Sequence, residues 1–238
     1  MKGTCGVLKT TQHSRTGALF AGVPFLRLKQ AMKPLYIKRI VLLGDSVAYG
    51  YGTQGGLATY LKQTFPDSEV TNFGINGLTS DGLVERLQLH RWDEAIREAD
   101  LVILNIGGND LLRAFKTGGP QQLIRQFGQL KRNYRKNLLE IYRYIRDTSS
   151  NAMIVQNNLY NSMKKEVQYF GFTNLLITIW NTAIGEKDII VARLNAMGKN
   201  RSIWLDSIHP NEDGYKIMND LLKTTLADRG YSVHSGDH

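Results

Sequence analysis

A chain of 238 residues with 42% apolar residues fits one α/β domain of ordinary size with a substantial core. Its single cysteine, Cys5, excludes an internal disulfide and fits a reducing, cytoplasmic setting; with five scattered histidines it offers no metal-ligand spacing. The formal charge of +9 is concentrated in residues 1–44, which carry eight basic residues and no acidic one; the remaining 22 basic against 21 acidic residues argue against a nucleic-acid surface.

Residues 1–35 therefore read as a basic, flexible N-terminal segment, and 36–238 as a single domain. The apolar stretch Gly17 to Leu26 is interrupted by Pro24, is too short to span a bilayer, and precedes no small-residue cleavage site. Three readings stay open: a disordered tail, an extension upstream of a start at Met32, or a degenerate export or anchoring segment. The last would allow a weak contact with anionic membrane.

From Ile37 the chain alternates strands with helices. Ile37 to Leu43 is apolar and β-branched and stops at Gly44, as a buried parallel strand does. A helix is expected over Leu57 to Phe65, a second strand over Glu69 to Phe73, and one long helix over Asp81 to Ala99. Asp100 to Ile106 is the clearest buried strand. Gln121 to Asp147 is the clearest helix, with Leu123, Phe127, Leu130, Tyr134, Leu138, Ile141 and Ile145 at spacings of three and four. Its basic residues, Arg125, Lys131, Arg132, Arg135, Lys136, Arg143 and Arg146, read as a solvated face. A fourth strand over Ala152 to Gln156, a helix over Thr173 to Glu186, a short fifth strand over Ile189 to Ala192 and a terminal helix over Asp213 to Arg229 complete the series. No repeat or inter-domain linker interrupts it. This alternation implies a three-layer α/β sandwich with a parallel sheet, whose ligands gather at the carboxyl ends of the strands.

Four short blocks stand in positions where such a fold puts chemistry. Gly44-Asp45-Ser46, Gly74-Ile75-Asn76-Gly77 and Gly107-Gly108-Asn109-Asp110 each follow a strand, and Asp206-Ser207-Ile208-His209 precedes Pro210 and the last helix. Each block alone reads as a turn. Together they supply a hydroxyl nucleophile in Ser46, an acid–base pair in Asp206 and His209, a side-chain amide donor in Asn109 and an unobstructed N–H at Gly77, the parts that acyl transfer requires. An Asp-x-x-His spacing lets the carboxylate fold back onto the imidazole and fix one tautomer. His13, His90, His234 and His238 have no comparable setting. Gly50-Tyr51-Gly52-Thr53-Gln54-Gly55 fits a dinucleotide fingerprint, but it starts seven residues after Leu43, and the second strand ends with Asn72 instead of an acid.

In this order and placement the blocks resemble the SGNH, or GDSL, hydrolase family over roughly Lys38 to Leu226. The resemblance implies a flavodoxin-like five-stranded sheet of order 2-1-3-4-5. It implies Ser46 as nucleophile and first oxyanion donor, Gly77 and Asn109 as the other two donors, and His209 supported by Asp206 as the base. Two departures stand out. The second block reads Gly77-Leu78-Thr79 where the family often has Gly-Asp-Thr, and the stretch between the fifth strand and Asp206 is short. The implied activity is hydrolysis of a small-molecule carboxylic ester of lipid or acyl type, with carbohydrate O-deacetylation as the alternative enzyme and a non-catalytic ligand-binding domain as the alternative of another class. No cofactor and no metal is required. Tyr160 to Phe172 follows the fourth strand and could wall an acyl pocket, form a lid or pack on the core.

Overall fold

The computed structural model describes residues 33–164, 166–197 and 201–232. Five parallel strands form the sheet: β1 (Arg39–Gly44), β2 (Glu69–Gly74), β3 (Leu101–Asn105), β4 (Met153–Asn157) and β5 (Ile189–Ala192), in the order β2-β1-β3-β4-β5. This is the 2-1-3-4-5 sheet. Despite the short stretch before Asp206, β5 closes the edge, pairing with β4 from Ile154↔Ile189 to Asn157↔Ala192.

The helices are α1 (Ser46–Tyr49), α2 (Leu57–Thr64), α3 (Ser80–Gln88), α4 (Asp93–Glu98), α5 (Gly108–Thr148), α6 (Phe170–Asn181) and α7 (Glu212–Asp228). Alternate strand residues supply two cores. Val41, Leu43, Val102, Leu104 and Ile154 pack with Leu83, Ile96, Tyr134, Leu138, Ile141 and Trp180. Ile40, Leu42, Leu101, Ile103 and Val155 pack with Leu57, Leu61, Tyr215, Met218 and Leu222. All five residues of β3 are buried, which explains why Leu101 to Leu104 read as an unbroken apolar run and not as an alternating one.

Three expectations change. The single helix over Asp81 to Ala99 is two, α3 and α4. The break is at His90, the one described non-glycine residue with positive φ (57°). Its ring Nδ1 lies 2.9 Å from the Tyr144 hydroxyl and 3.0 Å from Asp93 Oδ2, and Trp92 stacks on Phe73 at 4.9 Å between centroids. Helix periodicity continues through this stretch, so tertiary contacts, not local propensity, set the break. The long helix α5 begins at Gly108, not Gln121, with a kink at Gly119 (φ 67°, ψ −170°) before Pro120; proline fits the first turn of the second segment, where its missing N–H leaves no bond unmade. Finally, part of its basic face is not solvated. Arg135 donates to the carbonyls of Ala183 and Gly185 and pairs with Glu186 at 2.6 Å, Arg146 donates to the carbonyls of Ala152 and Asp188, and Lys131 bonds Thr182. These cations tie α5 to the segment between α6 and β5 and, through Ala152, to the entry of β4.

Of the N-terminal segment, residues 1–32 lie outside the described residues. Residues 33–34 pair in parallel with 231–232, and Leu35 N–H donates to the Ser232 carbonyl at 3.1 Å, so the chain is already joined to the domain's C-terminal end before β1. Among the described residues no helix is long and apolar enough to cross a membrane.

Candidate active site

Ser46 is placed by the turn out of β1. Gly44 has φ +146°, and a Cβ there would lie 2.0 Å from the Asn105 carbonyl oxygen, so a side chain cannot be accommodated where β1 leaves the sheet against β3. Asp45 follows, buried at 4% exposure. Its Oδ1 accepts from Val47 N–H at 3.0 Å, capping α1, and from Asn105 Nδ2 at 3.1 Å. Asn157 Nδ2 in turn donates to Asn105 Oδ1 at 3.3 Å, so a polar chain runs across the carboxyl ends of β1, β3 and β4. Burial pushes the Asp45 carboxyl up to about 6, against the downward pull of its hydrogen bonds. From β2, Asn72 Nδ2 donates to the Ala48 carbonyl at 2.8 Å and steadies the far end of α1. Ser46 is the first residue of α1, where a helix N–H has no intrahelical acceptor.

His209 arrives on a tight turn. Leu205 N–H bonds the His209 carbonyl at 2.9 Å, and Trp204 and Pro210 form an antiparallel bridge. Inside this turn Asp206 Oδ1 accepts from Ile208 N–H (2.7 Å) and His209 N–H (2.8 Å), and Oδ2 meets His209 Nδ1 at 2.7 Å. The other ring nitrogen, Nε2, lies 2.9 Å from Ser46 Oγ, 163 positions away in the chain. Partial burial alone would raise the Asp206 carboxyl, but the His209 N–H, the His209 ring and the Ile208 N–H outweigh it and hold the group below its ordinary range. Asn211 then caps α7, accepting from Gly214 N–H at 3.0 Å.

Gly77 and Asn109 come from the second and third blocks, after β2 and at the start of α5. Gly77 sits exposed in the turn after β2 with φ +77°. Asn109 is in the first turn of α5, and its Nδ2 donates to the Leu78 carbonyl at 3.0 Å, which joins the third block to the second. An amide nitrogen carries two hydrogens, so one stays available after this bond. The Gly77-Leu78-Thr79 departure is therefore accommodated by contacts from α5, with Ser80 N–H bonded to Asp110 Oδ2 at 3.0 Å.

Several supporting residues carry no sequence signal of their own. Tyr51, within the glycine pattern that imitates a dinucleotide fingerprint, lays its ring on His209 at 4.6 Å between centroids. Gly50 there is the left-handed C-cap of α1. Tyr160 packs on Trp204 and donates its hydroxyl to the Ile208 carbonyl at 3.0 Å, while Ser162 Oγ bonds the Ser207 carbonyl. The 160–172 segment thus divides. Its start buttresses the histidine turn, and Val167, Tyr169 and Phe172 are exposed. Among the described residues no cluster of three His, Cys, Asp or Glu side chains could hold a metal.

Residues 40–222 match the model of the GDSL-like lipase/acylhydrolase family. The chain belongs to this family. It is accordingly a hydrolase of the esterase/lipase type. The uncharacterized protein YpmR of Bacillus subtilis is 26% identical over 198 residues, 75% of this chain and 77% of that protein. Lipase Lip_vut3 from a goat rumen metagenome superposes with a TM-score of 0.69 at 19% identity, covering 83% of this chain and all of that one. Psychrotrophic esterase EstA from Pseudoalteromonas sp. does so with a TM-score of 0.56 at 21% identity, covering 81% and 98%. At these identities the two solved structures share the fold of this GDSL-like hydrolase.

Proposed function

We propose that this GDSL-like hydrolase cleaves carboxylic esters through a Ser46–His209–Asp206 triad and an acyl-enzyme. The observation that carries the reading is the unbroken relay Asp206 Oδ2–His209 Nδ1 (2.7 Å) and His209 Nε2–Ser46 Oγ (2.9 Å). His209 Nε2 takes the Ser46 proton as Oγ bonds the ester carbonyl carbon. The negative charge that develops on the carbonyl oxygen is held by the N–H groups of Ser46 and Gly77 and by the remaining hydrogen of Asn109 Nδ2. Collapse of the tetrahedral intermediate breaks the bond to the alcohol, which leaves with the proton from His209. Water then attacks the acyl carbon, giving its proton to His209; the acid departs and Ser46 regains its hydrogen. Asp206 remains ionised throughout, orients the ring and offsets the imidazolium charge.

The substrate reading is an ester of lipid or acyl type. It is supported by exposed apolar side chains on segments that touch the site: Tyr51 over His209, Leu205 in the histidine turn, and Val167, Tyr169 and Phe172 beyond Ser162. The deciding experiment compares wild type and Ser46→Ala on short- and long-chain nitrophenyl esters and on acetylated sugars. Ser46→Ala is expected to lose turnover by at least about 1,000-fold while keeping its fold. Residual turnover within about tenfold of wild type sinks the serine assignment. Wild-type hydrolysis confined to acetylated sugars would make the enzyme an O-deacetylase. Binding without turnover of any ester would leave a ligand-binding domain.

A further inference from the structure

Two neighbouring residues on the first turn of α5 grip the loop that carries Gly77, and only the first belongs to the proposed catalytic set. Asn109 Nδ2 holds the Leu78 carbonyl at 3.0 Å. One residue on, the Asp110 carboxylate accepts both donors of Ser80: the N–H at 3.0 Å through Oδ2 and the hydroxyl at 2.5 Å through Oδ1. Asn137, further along α5, donates to the same Ser80 hydroxyl oxygen at 2.9 Å. Ser80 is fully buried at 0% exposure, and Thr79 between the two grips is buried as well. The loop's other end is fixed at β2, where Ile75 N–H bonds the Gly44 carbonyl at 2.9 Å. Gly77 lies between these anchors in an open position, with nothing within 4 Å of where a Cβ would be. Its direction is therefore set by what holds the chain on either side and not by packing on Gly77 itself.

From this arrangement we infer that Asp110 is a positioning residue for the oxyanion site: through Ser80 it fixes the 77–80 loop so that the Gly77 N–H and the Asn109 amide face one point. The inference rests on the proposed function and adds a residue that does not touch substrate. A carboxylate suits the task because it only accepts, so both Ser80 donors are satisfied in one arrangement. An asparagine in its place can accept one of them, but its N–H₂ group cannot accept the other and leaves the Ser80 hydroxyl hydrogen without this partner. Placing the anion at the N-terminus of α3 also complements the helix dipole, which anchors the same turn. Because Asn109 and Asp110 are adjacent on one rigid helix, releasing the Asp110 grip lets the Gly77 loop shift relative to the Asn109 amide.

The test measures kcat and KM on a soluble short-chain nitrophenyl ester for full-length wild type, Asp110→Asn, Ser80→Ala and the double variant. Reactive serines are counted with a phosphonate ester, so that kcat refers to folded sites, and thermal unfolding is recorded for each. Misplacing a donor by a fraction of an ångström to an ångström predicts a kcat lower by about 10- to 100-fold for Asp110→Asn, with KM within about threefold. Ser80→Ala, which keeps the N–H bond, is expected to lose less. The double variant should be no worse than Asp110→Asn alone, because both changes release one contact. A folded Asp110→Asn with kcat within about twofold of wild type overturns the inference, as do multiplicative losses in the double variant or a change confined to KM. If Asp110→Asn does not fold, Ser80→Ala decides: a lower kcat at unchanged KM supports the role and an unchanged kcat overturns it. Ser46→Ala is run alongside. Turnover surviving there overturns the serine reading itself, whereas its loss together with full activity in Asp110→Asn overturns the positioning role alone.

Discussion

Asp206 and Asp45 flank the same serine, and the fold treats them in opposite ways. Asp206 lies in an exposed turn, with 43% of its side chain accessible, and receives three hydrogen bonds that hold it ionised. Asp45 is buried beneath the site, capping α1 and tying it to Asn105, and burial raises its carboxyl to about 6. The carboxylate that faces the histidine is kept where water and backbone donors make a charge inexpensive. The buried one serves as a fixed acceptor that holds strand ends together. The difference separates a charge used in the reaction from one used to build the frame, and variants in the two regions should fail in different ways.

The largest effect is expected at the histidine turn. His209→Ala should lower kcat/KM by about 10⁴-fold or more, since the serine loses its base and the leaving group its acid. Asp206→Asn should follow at roughly 10²- to 10⁴-fold, because an amide at this point no longer fixes the reactive tautomer. Both residues lie in a surface turn, so urea unfolding midpoints should shift little. A large loss of stability in Asp206→Asn, with activity per folded site retained, would assign the turn to the frame.

A smaller effect is expected between the two regions, at Asn109. Asn109→Ala should lower kcat by roughly 10²- to 10³-fold with little change in KM, because the donor acts on charge that exists only in the transition state. The same side chain holds the Leu78 carbonyl, so some stability should be lost too. A pure KM effect would make it a ground-state binding group.

The histidine turn was the more legible of the two regions. Asp206 and His209 are three residues apart, and a local spacing states its own geometry. The strands were legible for a similar reason: Leu101 to Leu104 is buried on both faces and so reads as an unbroken apolar run. The frame beneath the site is different. Asp45, Asn105 and Asn157 meet across 52 to 60 positions, and Ser80 and Asp110 across 30. Each is a common turn or strand-end residue with no periodicity to mark it. The start of α5 was hidden by the glycines of the third block, and the His90 break by contacts with Tyr144 that lie 54 positions away. Sequence pattern records which side faces the core; it does not record which distant polar group a buried side chain will meet.

The smallest prediction tests the comparison through stability instead of rate. Asp45 has an ordinary carboxyl pKa near 3.8 when unfolded and about 6 when folded. Between those values the folded protein holds a proton that the unfolded chain has released, so stability falls as pH rises through that window. Below about 3.8 the contribution is fully present; above about 6 it is lost, a difference of roughly 3 kcal/mol for this group. Asp110, also raised to about 6 by burial, acts in the same direction. Asp206 acts in the opposite sense: its carboxyl is held low, so its contribution is present above the unfolded value and disappears as pH falls through the folded one. Asp45→Asn keeps a carbonyl oxygen where Oδ1 accepts from Val47 and Asn105, so the cap can survive the change. Its urea unfolding free energy should therefore fall less steeply between pH 4 and 6 than that of wild type. An Asp206→Asn protein should leave that window alone and change the slope only below about pH 4. Equal slopes for wild type and Asp45→Asn from pH 4 to 6 would show that the folded carboxyl has already lost its proton by pH 4, as the unfolded one has, and the contrast between the two acids would then rest on hydrogen bonding alone.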